Sequence, residues 1–254
     1  MKLGRFMDEA YQGKAQAKRL KTHQGDLVFG LEDLADRLGT KPDRAEVEKF
    51  APADAELLAQ LLSGEPGKKY GMIWGYLSSI AAERSLGPLQ LQALDFAGLE
   101  LCGGVLVLDG SADHVGERMA GGRIFVQGRA GDYLGQGMAA GGIVAEGCGD
   151  YAFRNMRSGW GVILGDAGKF CGLGNSGGRI AVRGDCGERA GWLMHDGSLR
   201  ISGEADDYLG LLMSGGEIIV QGRAGKRAGW RMKGGSIKAG GYGPEAATDV
   251  MGLD

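Results

Sequence analysis

Few residues in this chain have types and spacing that could do chemistry. Gly174-Asn175-Ser176-Gly177-Gly178 fits the G-x-S-x-G pattern of a nucleophile elbow. In that motif a sharp strand-to-helix turn lifts a serine above a sheet, near a histidine and an acid. A stand-alone hydrolase, an esterase using Ser176, is therefore one reading. Against it, no helical segment follows, and Ser176 holds a position that recurs along the chain as Ala120, Ala139, Arg157, His195, Ser214 and Lys233. The overlapping Gly172-Leu-Gly174-Asn-Ser-Gly177 fits G-x-G-x-x-G, but a dinucleotide site needs a helix N-terminus after that turn to hold pyrophosphate. With 50 glycines in 254 residues, such matches arise by accident.

The metal-type residues are no more cohesive. His23, His114 and His195 are scattered, and Cys102, Cys148, Cys171 and Cys186 contain no C-x-x-C pair. That spacing argues against zinc and for buried free thiols. The acidic positions Asp132, Asp150, Asp166, Asp185, Asp206 and Asp207 could suggest calcium. The G-G-x-G-x-D nonapeptide of calcium β-rolls is absent, however, and solvated corners are the expectation.

The elements behind these residues explain the glycines. Segments opening on a small-residue or glycine pair recur with the second glycine at 104, 122, 141, 159, 178, 197, 216 and 235. Two sites later stand Leu106, Ile124, Ile143, Gly161, Ile180, Leu199, Ile218 and Ile237. Four sites later stand Leu108, Val126, Ala145, Ile163, Val182, Ile201, Val220 and Ala239. Flanking sites such as Arg123, Gln127, Arg179, Arg183 and Glu217 are polar, so one face of each strand points inward and the other to water. Three residues before the second glycine runs a column of Met119, Met138, Met156, Asn175, Met194, Met213 and Met232, read as interior packing. A small-residue corner such as Val115-Gly116 or Ala190-Gly191 lies between.

A strand, a glycine corner and a return make one coil. Stacking such coils predicts a mainly β fold: a right-handed parallel β-helix of about eight 18–19-residue turns over residues 93–241. Cys148 and Cys186 then sit two coils apart, roughly 10 Å by strand spacing, beyond disulfide reach. One coil is irregular. The stretch Tyr151–Trp160 loses the corner glycine and brings in Phe153, Arg154, Arg157 and Trp160. A break in a regular solenoid is where a partner or ligand is recognised, and aromatic residues and arginine are enriched at interfaces.

Residues 1–92 are poorer in glycine and predict short helices at Asp8–Leu20, Gly30–Leu38, Asp43–Phe50, Ala53–Leu62 and Tyr70–Leu86, with Pro52 at the start of the fourth. This α-helical segment is expected to cap one end of the β-helix or to dock a partner, since open strand edges invite aggregation. Trp74 and Tyr76, in its most apolar stretch, join the interface candidates. The tail, 242–254, is expected to cover the other end. The net charge of −3 argues against nucleic-acid binding. No apolar run of 18 residues is present, so no membrane span is expected. The first residues lack the apolar core of a signal peptide, making a cytoplasmic location the expectation.

The pattern Gly-Gly-Arg-Ile-x-Val-x-Gly-x-Ala-Gly-Asp-Tyr-Leu-Gly-x-x-Met, at 121–138 and again around 203–213, resembles the GXGXG domain. That domain is the C-terminal β-helix of the glutamate synthase large subunit. It also makes up most of the β-helical subunit of formylmethanofuran dehydrogenase and of its bacterial formyltransferase/hydrolase relative. The resemblance covers roughly 99–241 and does not extend over 1–92. It implies a non-catalytic scaffold subunit of a multisubunit oxidoreductase or amidotransferase complex. A role like that of the formylmethanofuran dehydrogenase β-helical subunit, in one-carbon metabolism, is the first expectation. The β-helix subunit of a glutamate-synthase-type amidotransferase is the alternative. In either case catalytic subunits are the partners, and flavin, pterin or metal centres belong to them; this chain is expected to hold no cofactor, metal or catalytic residue.

Overall fold

A computed structural model describes residues 31–63, 70–247 and 251–252. Four helices come first: α1 (Leu31–Leu38), α2 (Arg44–Glu48), α3 (Ala55–Leu62) and α4 (Gly71–Arg84). They match the four expected helices from residue 30 onward to within a few residues; the helix expected at 8–20 lies outside the described residues. Asp43 caps α2 reciprocally with Glu46, so two amide donors at its N-terminus are satisfied. The start of α3 differs from expectation. Asp54 Oδ1, not the proline ring, organises its first turn by accepting from the Leu57 amide at 3.1 Å, and Pro52 lies ahead of the helix.

Ten strands follow: β1 (Leu89–Gln92), β2 (Val105–Asp109), β3 (Ala120–Arg129), β4 (Ala140–Gly147), β5 (Trp160–Ile163), β6 (Ser176–Val182), β7 (Asp196–Ile201), β8 (Glu217–Ala224), β9 (Ser236–Tyr242) and β10 (Met251–Gly252). They form one parallel sheet in chain order, the signature of a β-helix. The register is the one the periodicity predicts. Leu106 pairs with Ile124, Ile124 with Ile143, and the same column continues through Gly161, Ile180, Leu199 and Ile218 to Ile237. A second parallel ladder runs beside it through single bridges linking Ala167, Cys186, Ala205 and Ala224.

The interior is the stack of these columns. Every isoleucine and leucine of the first column is buried, and so are Met119, Met138, Met156, Met194 and Met213. Asn175 interrupts the methionine column without leaving a polar group unpaired. Its Nδ2 donates to the Gly178 carbonyl at 2.9 Å, and its Oδ1 accepts from the Gly178 amide at 2.8 Å. Corner glycines are required twice over: Gly191 has φ +68°, and a Cβ there would lie 2.5 Å from Ile218 Cδ1.

The sheet begins one coil earlier than the glycine pairs indicate. Leu89 pairs with Leu106 and Leu91 with Leu108, although Gly87 there follows Leu86 instead of a small residue. Helix α4 closes this end. Ser78 Oγ accepts from the Gly98 amide at 2.9 Å, Ser79 Oγ donates to the Leu99 carbonyl at 2.8 Å, and Glu83 accepts from the Cys102 amide at 2.8 Å. Polar groups of the first coil that lack a coil above are thus paired by helix side chains. At the other end β10 pairs with β9.

Candidate functional site: a cationic groove at the irregular turn

The break at residues 151–160 is a compensated exchange of volume. At the corner, where neighbouring coils place Gly135 and Gly172, Phe153 adopts φ 57° and turns its ring fully inward. The space comes from Gly161, the one position of the isoleucine column without a side chain: a Cβ there would lie 2.1 Å from Phe153 Cζ. On the other face of the strands Trp160 lies across Gly142, whose Cβ would be 2.1 Å from Trp160 Cζ2. It packs beside an apolar row of Val107, Phe125 and Val144.

Sequence-predicted interface residues therefore separate into two groups. Phe153, Trp74 and Tyr76 are corrections: all three are buried in the chain's own core. Trp74 donates from Nε1 to the Leu62 carbonyl at 3.2 Å, and Tyr76 Oη accepts from Arg118 at 3.1 Å. Apolar helix α4 draws them inward because it is packed on several sides. Burial also pushes the Tyr76 hydroxyl above its ordinary pKa. Arg154, Arg157 and Trp160 stay at the surface.

Arg154 and Arg157 form one wall of a groove of about 680 Å³. Gly174 and Ser176, one coil on, make its floor, because neither projects a large side chain. Trp192 and His195, a further coil on, make the opposite wall. At one recurring position three successive coils carry large, small, then large residues, Arg157, Ser176 and His195, whereas Arg154 and Trp192 have Leu173 between them in their own column. Tyr133, Tyr151, Leu173 and Leu193 complete an apolar lining, and no aspartate or glutamate borders the space.

Two ladders that periodicity did not reveal run through this region. Phe96, His114, Tyr133, Tyr151 and Phe170 stack ring on ring at centroid separations of 4.6, 4.7, 5.0 and 4.7 Å. Arg189 continues the stack, its guanidinium 5.6 Å from Phe170 and 5.4 Å from Tyr208. Trp192 leans against Phe170 at 5.8 Å, so one groove wall is anchored to the stack. The signal was present as one planar side chain per coil, after an acidic residue or lysine at every step from His114 to Arg227.

The second ladder corrects the reading of the acidic corners. Asp113 Oδ1 accepts from the Asp132 amide, Asp132 from Asp150, and Asp150 from Lys169, each at 2.8 Å. Asp166 and Asp185 do the same for the coils that follow. These carboxylates are coil-to-coil caps, not simply solvated ends. Among the described residues no group of three or more histidine, cysteine, aspartate or glutamate side chains is placed to hold a metal ion.

Ser176 and His195 both border the groove, but they are not hydrogen-bonded to each other in the described structure. Ser176 Oγ donates to the Met156 carbonyl at 3.4 Å, and His195 Nδ1 lies 2.7 Å from Ser214 Oγ. Of the cysteines, Cys148, Cys171 and Cys186 are buried free thiols, whereas Cys102 is exposed. Burial pushes the Cys148 thiol far up. Cys171 is raised by its hydrogen bond with Cys186 and by burial. No helix among the described residues is long and apolar enough to cross a membrane. No protein-family model matches this chain, and no curated protein sequence matches it.

Proposed function

We propose that this chain is a non-catalytic scaffold subunit of a cytoplasmic multisubunit enzyme, with a role like that of the β-helical subunit of formylmethanofuran dehydrogenase in one-carbon metabolism. The carrying observation is the coil-to-coil locking of the β-helix around an irregular turn whose Arg154 and Arg157 reach the surface. Strand pairing, carboxylate–amide bonds and stacked rings tie each coil to the next. A body so constrained keeps surface groups tens of ångströms apart in fixed relation, which suits holding other subunits in register. The resemblance of residues 121–138 to the GXGXG domain supports the same role. Catalytic subunits are then the partners, and flavin, pterin or metal centres reside in them.

Mild purification from the native cell, followed by mass spectrometry, tests this reading. Stoichiometric amidohydrolase-like or molybdopterin-type subunits are the expected companions. A glutaminase and an FMN-domain protein would move the role to a glutamate-synthase-type amidotransferase. A single-chain preparation at native abundance overturns the scaffold role.

A further inference from the structure

We infer that the groove between Arg154 and Arg157 on one side and Trp192 and His195 on the other receives a carboxylate from an acidic segment of a partner chain. Every ionisable side chain lining the groove, tyrosines aside, is basic or neutral, in a chain whose net charge is −3. Arg154 and Arg157 make no ion pair among the described residues, and Arg154 lies 6.0 Å over the Tyr151 ring that shares the groove. A guanidinium without a carboxylate partner, beside apolar surface, is suited to charge-assisted, bidentate pairing.

A second observation concerns Trp192, whose side chain lines the groove. Trp192 Nε1 is buried and has no hydrogen-bond partner, the one such side-chain nitrogen or oxygen among the described residues. A buried donor left unmade costs about 1–3 kcal/mol, and a native protein rarely leaves one without a reason. The two walls belong to coils two apart, about 10 Å by strand spacing. Between these backbones the small residues Gly174 and Ser176 leave the groove open.

The identity of the partner rests on the scaffold reading, but the chemistry of the groove can be tested without it. The full chain is titrated with an acetylated, amidated four-aspartate peptide, with a four-asparagine peptide and inorganic phosphate for comparison. Binding of the aspartate peptide alone is expected. Joint Arg154→Ala and Arg157→Ala substitution should weaken it by about tenfold or more, the size expected for hydrogen bonds to a charged group. Trp192→Ala, which removes the ring of the opposite wall, should weaken it by a smaller factor. Arg183→Ala, which removes an equal charge from an exposed position elsewhere, should leave it unchanged. Undiminished binding in the double arginine variant, or equal loss in Arg183→Ala, overturns the proposal. Phosphate binding as tight as the peptide's overturns it too, giving the groove to a small free anion. Co-purification separates the two readings. Partners retained by the double arginine variant would leave the scaffold standing and remove the groove. Peptide binding by a chain that purifies alone would support the groove and remove the scaffold.

Discussion

The ring of Phe153 fills the volume that a side chain on residue 161 would occupy, with 2.1 Å between Phe153 Cζ and the position of a Cβ at Gly161. Neither residue is intelligible alone. Phe153 breaks the corner-glycine column and Gly161 breaks the isoleucine column, in the same coil. The two breaks cancel, so the interior stays filled and strand pairing runs through Gly161 without a shift.

That relationship predicts strong coupling. Gly161→Ile alone overpacks the coil and should cost at least about 1–3 kcal/mol. Phe153→Gly alone empties it and should cost about 3–5 kcal/mol. The double variant restores the pattern of neighbouring coils and should be more stable than the sum of the single losses allows. Denaturant unfolding of the four proteins measures this; additive losses would mean that the two residues do not share one space.

Removing one rung of the carboxylate ladder has a defined cost. Asp132→Ala deprives the Asp150 amide of its acceptor and should destabilise the protein by about 1 kcal/mol, whereas Asp132→Asn keeps an oxygen there and should cost less. Because these carboxylates are engaged with amides, neither calcium nor a chelator is expected to move the melting temperature. A calcium-dependent rise would assign the corners to metal binding after all.

His114 makes part of the stability pH-dependent. Its Nδ1 lies 2.7 Å from Glu117, and this hydrogen bond raises its pKa above the ordinary 6.5, with Asp113 and Asp95 adding to the rise and burial opposing it. A raised folded pKa means that the contribution is complete below the unfolded value. It is lost as pH climbs through the folded one. The melting temperature of the natural protein should therefore exceed that of Glu117→Gln most at low pH within the neutral-to-acid range, and the gap should narrow as the solution becomes alkaline. A gap that widens with pH contradicts this assignment.

Thiol reactivity should divide the cysteines. Of the four, Cys102 is exposed and should react with a disulfide reagent in the native state, while Cys148, Cys171 and Cys186 should react only after unfolding. Cys102→Ser should abolish the native reaction. Fast labelling in that variant would show that the core opens readily.

Much of this architecture is written in one dimension. A solenoid repeats the same local contacts, so the spacing of glycine pairs, isoleucines and methionines determined the strand register without knowledge of the fold. Ile124 lies beside Ile143 because the coil between them has constant length. Helix α4 was legible as a helix from its composition, but its partners were not. Trp74 and Tyr76 resemble exposed interface residues until the helix is seen packed between its neighbours and the first coil. The groove was half legible, since Arg154 and Arg157 stood out as a break in the pattern. Trp192 and His195 did not, because they come from a different coil and each looks ordinary in its own. The repeat already put Arg157, Ser176 and His195 in one column; only the tertiary structure decided that Trp192, Tyr133 and Tyr151 line the same space. A cavity is a difference in side-chain volume between neighbouring coils, and periodicity averages that difference away.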